Sequence, residues 1–213
     1  MAIELISAHA LHPIKGFALM RFLKAYRRAQ EDLRGSRLEG QAAEVQFRSA
    51  CENSKTEAAT AHSYLDRWFH TAPLKHVRAA GRPGLKEFLH AMKSRGLKLG
   101  VFSDYPANSK LEALGLNGIF DVVVSSDDRE VQGFKPDPSG LLLCAKRLGV
   151  SPPQVLYVGD RPEVDAECAR RAGATAAILE ATKHGRLQSL HDGFSADSFS
   201  SLMDQLLQRG VLG

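Results

Sequence analysis

The part of the sequence that most constrains the fold is residues 155–165, VLYVGDRPEVD, in which an apolar run leads into two aspartates. The short β-branched and aromatic run before Gly159 is typical of a strand that is buried on both faces. Pro162 suits the first turn of a helix that continues to Gly173. Asp160 would therefore lie at the carboxyl end of a buried strand, which is where open α/β sheets bind their ligands.

Downstream of residue 77, predicted strands alternate with predicted helices. Apolar runs bounded by turn formers predict strands at residues 97–102, 120–124, 155–158 and 175–179. Proline and glycine bracket helices predicted at residues 83–96, 106–115, 138–149 and 162–173, with a loop at 180–196 and a closing helix at 199–208. This alternation implies right-handed crossovers and a parallel sheet with helices on both faces, which is the α/β fold class.

The residues before 77 show no strand-like period and are predicted to be helical. Apolar residues recur at three- and four-residue steps over residues 19–33, opposite a mostly basic face. Such a helix can lie on a membrane or hold an anionic ligand, but we interpret it as a packed helix with a solvated face. Ser36 with Glu39, and Ser54 with Glu57, have the spacing of capping boxes that would begin two further helices.

The composition fits one domain that carries a smaller one. With 213 residues, of which 44% are hydrophobic and 24% charged, the chain can bury a core. We divide it into a helical cap, residues 1–76, and an α/β core, residues 77–213. The net charge of +4 comes from residues spread along the chain, so no nucleic-acid partner is expected. Three cysteines without metal-like spacing fit a reducing cytoplasm, and no apolar run is long enough for a membrane span.

Polar residues at the predicted strand ends are candidates for chemistry. Ser103 follows a strand and precedes a helix, so it could hold a phosphate oxygen or simply form a turn. Lys135, within residues 133–138, could neutralise an anionic substrate or lie on the surface of a proline-rich turn. Asp160 and Asp165 are oxygen ligands of the kind that magnesium prefers, but they also suit a helix cap and a first helical turn.

Taken in order along the chain, these residues resemble the signature motifs of the haloacid dehalogenase superfamily, in its small-cap, phosphoglycolate-phosphatase-like branch. Residues 101–104, VFSD, resemble the second motif, and residues 135–137, KPD, the third. Residues 159–160, together with Asp165, resemble the fourth. The resemblance covers residues 77–179 closely, and the helices before them resemble the helical cap of that branch.

The resemblance implies a magnesium-dependent phosphatase that acts on a small phosphorylated metabolite, more than a dehalogenase. Ser103 and Asp104 would bind the phosphoryl group, and Lys135 would stabilise the nucleophile and its charge. Asp160 and Asp165 would position Mg²⁺. The same family places its aspartate nucleophile on a first, central strand, with a second acid two residues further on.

That first motif is missing from the sequence. No aspartate precedes Asp32, the residues after Glu4 are apolar, and the pair at residues 127–128 lacks the required spacing. We therefore expect no turnover and no first central strand. Without this strand, the strands ending at Ser103 and Asp160 would stand about 10 Å apart or pair directly.

Two explanations of the missing motif compete. The true protein could start one strand further upstream, or the chain could be a non-catalytic relative that binds a phosphorylated ligand or a protein partner. We favour the upstream start, because a relative released from catalysis need not keep Ser103, Lys135, Asp160 and Asp165 together.

Overall fold

The N-terminal part of the chain is helical, as the sequence predicts. The computed structural model describes residues 13–179 and 193–211. Helix α1 (Pro13–Leu33) packs against α2 (Ala42–Ser54). Helix α3 (Ala58–Tyr64) continues into a π-helical turn (Leu65–Thr71), and the short α4 (Leu74–Val77) follows. The boundary expected between residues 76 and 77 stays a prediction.

Both expected capping boxes are wrong, although the helices exist. Helix α2 begins six residues after Ser36, because the backbone N–H groups of Gly35, Leu38 and Ala42 instead donate to carbonyl groups of residues 131–134. Ser54 ends α2, where its buried hydroxyl donates to the Ala50 carbonyl (2.7 Å). Glu57 caps α3 by itself, since its carboxylate accepts from the backbone N–H groups of Ala59 and Thr60.

The second part of the chain alternates strands and helices. Its helices are α5 (Leu85–Ser94), α6 (Asn108–Ala113), α7 (Ser139–Leu148), α8 (Glu167–Ala172, entered through a π-helical turn at Pro162–Ala166) and α9 (Phe199–Gln208). Its strands are β1 (Gly100–Ser103), β2 (Val122–Ser125), β3 (Leu156–Gly159), β4 (Thr175–Leu179) and β5 (Gly193–Ala196). The predicted bounds of β4 and α9 agree with the structure to the residue.

Every strand pairing is parallel, and the pairings form two groups. Strand β1 pairs with β2, while β4 lies between β3 and β5. Within the described ranges, no strand pairing joins β1 to β3. The run at residues 3–6, which precedes the expected site of the missing motif, lies outside the described residues. The absence of a first central strand therefore stays a prediction.

The sheet formed by β3, β4 and β5 carries helices on both faces, which confirms the α/β fold class. Alternate residues of a strand point to opposite faces. Ala176 and Ile178 of β4 pack into one buried cluster with α7 and α8. Ala177 and Leu179 pack into the other cluster, with α5 and α9. No helix in the described part of the chain is long and apolar enough to cross a membrane.

Two details of the core differ from the sequence expectations. All four residues of β3 are only partly buried, not buried on both faces, because this strand has a paired neighbour on one side alone among the described residues. Part of the expected loop at residues 180–196 is strand β5, and residues 180–192 lie outside the described ranges. The GFSA sequence of β5 has little strand preference of its own, so pairing with β4 decides its structure.

Candidate functional site

The carboxyl edge of the strands brings the predicted site residues to neighbouring loops. Ser103 ends β1, Asp160 directly follows β3, and Lys135 lies in the loop between β2 and α7. The structure joins four of the five predicted residues through hydrogen bonds, because the backbone N–H of Asp160 also donates to Asp165. Asp104 Oδ1 accepts from the backbone N–H of Lys135 (3.1 Å), and Lys135 Nζ donates to Asp165 Oδ1 (2.8 Å).

Lys135 is a buried ammonium in a fixed position. Its side chain is 14% exposed, and Nζ also donates to the hydroxyl of Tyr157 (3.1 Å). Burial alone would lower the pKa of Lys135, but Tyr157, Asp165 and Asp104 more than reverse this and hold the pKa above its ordinary value. The side chain is therefore a permanent positive charge at the strand tips, and not a lysine on the surface of a turn.

Asp165 is the anchor of this ammonium. Its Oδ1 accepts from Lys135 and lies 3.3 Å from the Tyr157 hydroxyl, while its Oδ2 accepts from the backbone N–H groups of Asp160 and Arg161 (3.1 Å each). Burial would raise the pKa of Asp165, but the Lys135 charge and these N–H groups hold it below its usual range. A carboxylate offers about four acceptor positions, and all four are used here.

Asp160 differs from Asp165 in its exposure to solvent and in the hydrogen bonds that its carboxylate accepts. Its side chain is 63% exposed, and its charged neighbour is Arg82, whose Nη2 lies 3.7 Å from Oδ2. Asp160 therefore keeps oxygen atoms free to bind a cation, whereas Asp165 does not. Among residues 13–179 and 193–211, no group of three or more His, Cys, Asp or Glu side chains is placed to hold a metal ion. The hydrogen bonds of the structure leave Asp160 as the carboxylate with free oxygens, and the expected role of Asp160 and Asp165 at magnesium stays a prediction.

Ser103 and Asp104 occupy a tight turn after β1. The Ser103 hydroxyl accepts from the backbone N–H of Tyr105 (3.2 Å), which is the turn-forming role considered above. The buried Asp104 carboxylate accepts at Oδ1 from Lys135 and at Oδ2 from Arg34 Nη1 (2.8 Å). Contact of Ser103 and Asp104 with a phosphoryl group stays a prediction. The bonds present show that Asp104 holds the backbone of the Lys135 loop.

Arg34 is a site residue that the sequence analysis missed. It follows α1, and its guanidinium binds the Asp104 carboxylate, the carbonyl of Lys135 (2.9 Å) and Glu31 (2.8 Å). The backbone of the same segment pairs with the Lys135 loop, because the Gly35 N–H donates to the Phe134 carbonyl (3.3 Å). These bonds attach the helical N-terminal part to the loop that carries the Lys135 ammonium.

Gly159 is required by the position of Asp165. A Cβ added at Gly159 would lie 2.5 Å from Asp165 Cγ and 2.6 Å from its Oδ2, which is too close for unstrained packing. We expect Gly159→Ala to lower the free energy of unfolding by about 1 to 3 kcal/mol and to displace Asp165 from Lys135.

Urea unfolding of Gly159→Ala can be compared with that of Gly173→Ala. Gly173 has a φ of +76° with nothing near its added Cβ, so the second substitution strains only the backbone, by about 1 kcal/mol. Only Gly159→Ala should also weaken anion binding at Lys135. Equal anion binding by the two variants would show that Asp165 tolerates the added methyl group.

Comparison with known proteins adds to this geometry. The sequence pattern of the haloacid dehalogenase-like hydrolases matches residues 11–173. The chain belongs to this family. It is 40% identical over 94 residues to the phosphoglycolate phosphatase of Escherichia coli (strain K12), a match that covers 43% of this chain and 36% of that enzyme. It is 35% identical over 129 residues to the phosphoglycolate phosphatase of Salmonella typhi, covering 58% and 50%.

The matches thus span half or less of the length of these curated relatives. Solved structures agree on the fold. A 2-haloacid dehalogenase from Pseudomonas syringae superposes with a TM-score of 0.62 at 20% identity, covering 96% of this chain and 88% of that one. A HAD phosphatase from Thermococcus onnurineus superposes with a TM-score of 0.57 at 22% identity, covering 89% and 90%. The recognition of the superfamily and of its α/β fold from the sequence is confirmed.

Proposed function

We propose that the chain binds the phosphate group of a small phosphate monoester and is part of a magnesium-dependent phosphatase. The observation that carries the proposal is the buried Lys135 ammonium at the strand tips. Asp165 and Tyr157 use two of its three N–H donors, which leaves one for an oxygen of a bound phosphate. The phosphoglycolate phosphatases of E. coli and S. typhi, as relatives, support a small phosphorylated substrate.

Magnesium would be held by Asp160, because this carboxylate is exposed and its oxygens are not saturated. Magnesium commonly keeps several waters and binds one or two carboxylates together with phosphate oxygens, so one protein ligand is sufficient. When bound, the ion would neutralise charge on the phosphate. Asp165 would act indirectly, by fixing Lys135.

The 213-residue chain would bind phosphate without turnover. The two carboxylates that contact Lys135, those of Asp104 and Asp165, accept hydrogen bonds at both oxygens, so neither is free to attack a phosphorus atom. The same observation favours a second candidate function, a non-catalytic phosphate-binding protein. Turnover in the presence of magnesium that is abolished by Asp160→Asn would contradict the proposed absence of turnover and the non-catalytic function.

The DNA immediately upstream of the Met1 codon separates the two candidates. An in-frame apolar run that ends in Asp-x-Asp would contradict the non-catalytic function. An in-frame stop codon close to Met1 would contradict an upstream start.

Binding of inorganic phosphate tests the role of Lys135. Phosphate at about one hundred times its dissociation constant should stabilise the folded chain by about 2.7 kcal/mol. We expect Lys135→Met to weaken phosphate binding about tenfold or more, because a charge-assisted hydrogen bond is lost. The measurement is the shift in unfolding midpoint that phosphate causes in each variant relative to the same variant alone.

The matched control is Lys146→Met, since Lys146 is exposed on α7 and should leave the phosphate effect unchanged. Asp160→Asn should keep the effect of phosphate alone and lose the additional effect of magnesium. Equal phosphate effects in Lys135→Met and Lys146→Met would contradict the proposal.

The proposal includes a cytoplasmic location and no nucleic-acid partner. All three cysteines are free thiols, and Cys144 and Cys168 are buried in the core. Free thiols are typical of proteins that work in a reducing compartment. Residues 1–76 would serve as the cap that selects the substrate.

A further inference from the structure

An open groove with apolar walls runs along α1 beside the π-helical turn. It encloses about 590 Å³. Phe17, Met20 and Leu23 line it from α1, and Trp68 and Phe69 line it from the π-helical turn. Phe17 is 63% exposed and Met20 47%, which is unusual for large apolar side chains that lie next to each other on one helix.

The walls of the groove are anchored in the core of the helical part. Leu23 and Phe69 pack against the buried cluster that contains Phe22 and Tyr26. The Phe69 ring lies 5.2 Å from the Tyr26 ring in an edge-to-face arrangement. The groove therefore lies on packed helices, since Leu23 and Phe69 fix its walls to this hydrophobic core.

The charges around the groove are all positive. Arg21, Lys24 and Arg27 complete its lining, and none of the described residues that line it is acidic. Arg21 and Lys24 form no ion pair with the described residues. The two acidic residues of this helix pair elsewhere, Asp32 with Arg28 (3.6 Å) and Glu31 with Arg34 (2.8 Å). The groove thus combines apolar walls with three cations, and Arg21 and Lys24 have no counter-charge among residues 13–179 and 193–211.

This combination selects one class of occupant. Sites of about 300 to 1,000 Å³ with apolar and aromatic walls and a few placed polar groups are typical of small-molecule binding. The cations that line the groove favour an anionic headgroup over a neutral or positive one. A second copy of the chain also carries a net charge of +4, which opposes self-association through a cationic groove.

We propose that the groove binds a small organic anion that has an apolar body and one anionic headgroup, such as a medium-chain carboxylate. The apolar body lies on Phe17, Met20 and Trp68, and the headgroup meets Arg21 and Lys24. The sequence analysis interpreted this basic face as merely solvated. The packed face of α1 agrees with that interpretation, but the exposed apolar side chains between the cations do not. The proposal goes beyond the phosphate site and does not rest on it.

Trp68 makes the proposal directly testable, because it is the only tryptophan of the chain. Its fluorescence would be followed while the whole chain is titrated with decanoate below the concentration at which micelles form. Decanol and decyltrimethylammonium serve as the neutral and the cationic comparison probes, because each carries an alkyl tail similar in length to that of decanoate. We expect a saturable change with decanoate, and binding at least about fivefold weaker for the other two probes. Absence of a saturable change, or equal binding of decanol, would overturn the proposal.

Variants of α1 locate the binding site. Lys24→Gln combined with Arg21→Gln should weaken decanoate binding about fivefold or more, and Met20→Glu should remove it. Arg28→Gln is the matched control on the same helix, since Arg28 lies outside the groove and should leave binding unchanged. Circular dichroism would check that each variant is folded, and the phosphate effect at Lys135 should persist in all of them. Equal loss in Arg28→Gln, or a dimer that Met20→Glu dissociates, would overturn the proposal.

Discussion

Replacing Asp165 by asparagine is expected to lower the free energy of unfolding by about 3 to 5 kcal/mol. The substitution leaves Lys135, whose side chain is 14% exposed, as a buried ammonium without its counter-charge. It also weakens the hydrogen bonds that Asp165 Oδ2 accepts from the backbone N–H groups of Asp160 and Arg161. Urea unfolding followed by circular dichroism measures the loss.

Asp160→Asn is the matched control, because it changes the same chemical group in the same loop at a position that is 63% exposed. Its expected effect is within about 0.5 kcal/mol. A comparison of the two variants distinguishes the contribution of the buried Asp165 carboxylate to stability from that of the exposed Asp160 carboxylate. Similar losses in both would show that burial and the bond to Lys135 do not distinguish the two aspartates.

The pKa of Asp165 gives this prediction a pH dependence of known sign. Because the folded chain holds this pKa below its ordinary value of 3.8, the carboxylate binds protons less readily in the folded than in the unfolded state. Its contribution to stability is complete above that ordinary value and is lost as the pH falls through the folded pKa. The stability difference between the original chain and Asp165→Asn should therefore shrink on strong acidification. A difference that stays constant would mean that the charge of Asp165 is not what stabilises the loop.

The sequence predicts the second part of the chain well because strong local signals agree there. Apolar patterns next to a glycine place β4, which follows Gly173, and α9, which precedes Gly210, correctly. Polar residues directly after these runs put Ser103 and Asp160 at strand ends, since a buried parallel strand must change to polar residues where it reaches the edge of the sheet. The order of these residues along the chain was enough to recognise the superfamily.

Contacts between distant segments could not be predicted in the same way. Arg34 lies 70 positions before Asp104 and 101 before Lys135, so no local period relates them. A basic residue at a helix end looks the same whether it faces solvent or a buried carboxylate. The hydrogen bonds that Asp165 accepts could not be predicted from the sequence either, because they depend on where Lys135 and two backbone N–H groups meet in three dimensions.

Arg34→Met is expected to cost about 3 to 5 kcal/mol of the free energy of unfolding, because it breaks a pair whose side chains are 14% and 10% exposed. The loss leaves Asp104 Oδ2 and the Lys135 carbonyl without their partner. Arg28→Met is the control, since the Arg28 and Asp32 side chains are 78% and 66% exposed and their pairing contributes little. Urea unfolding of both variants measures the difference.

A double-mutant cycle with Asp104→Asn tests whether Arg34 acts through Asp104. If it does, the combined variant should lose less stability than the sum of the two single losses, and the Lys135 amide, which donates to Asp104 Oδ1, should exchange its hydrogen faster in each single variant. Additive losses with unchanged exchange would mean that Arg34 only ties down the end of α1. Coupled losses would instead mean that the helical part controls the position of the Lys135 ammonium, because one carboxylate holds both the arginine and the lysine loop. In that case, a change of Arg34 at the end of α1 would move the loop that carries Lys135, the residue proposed to bind phosphate.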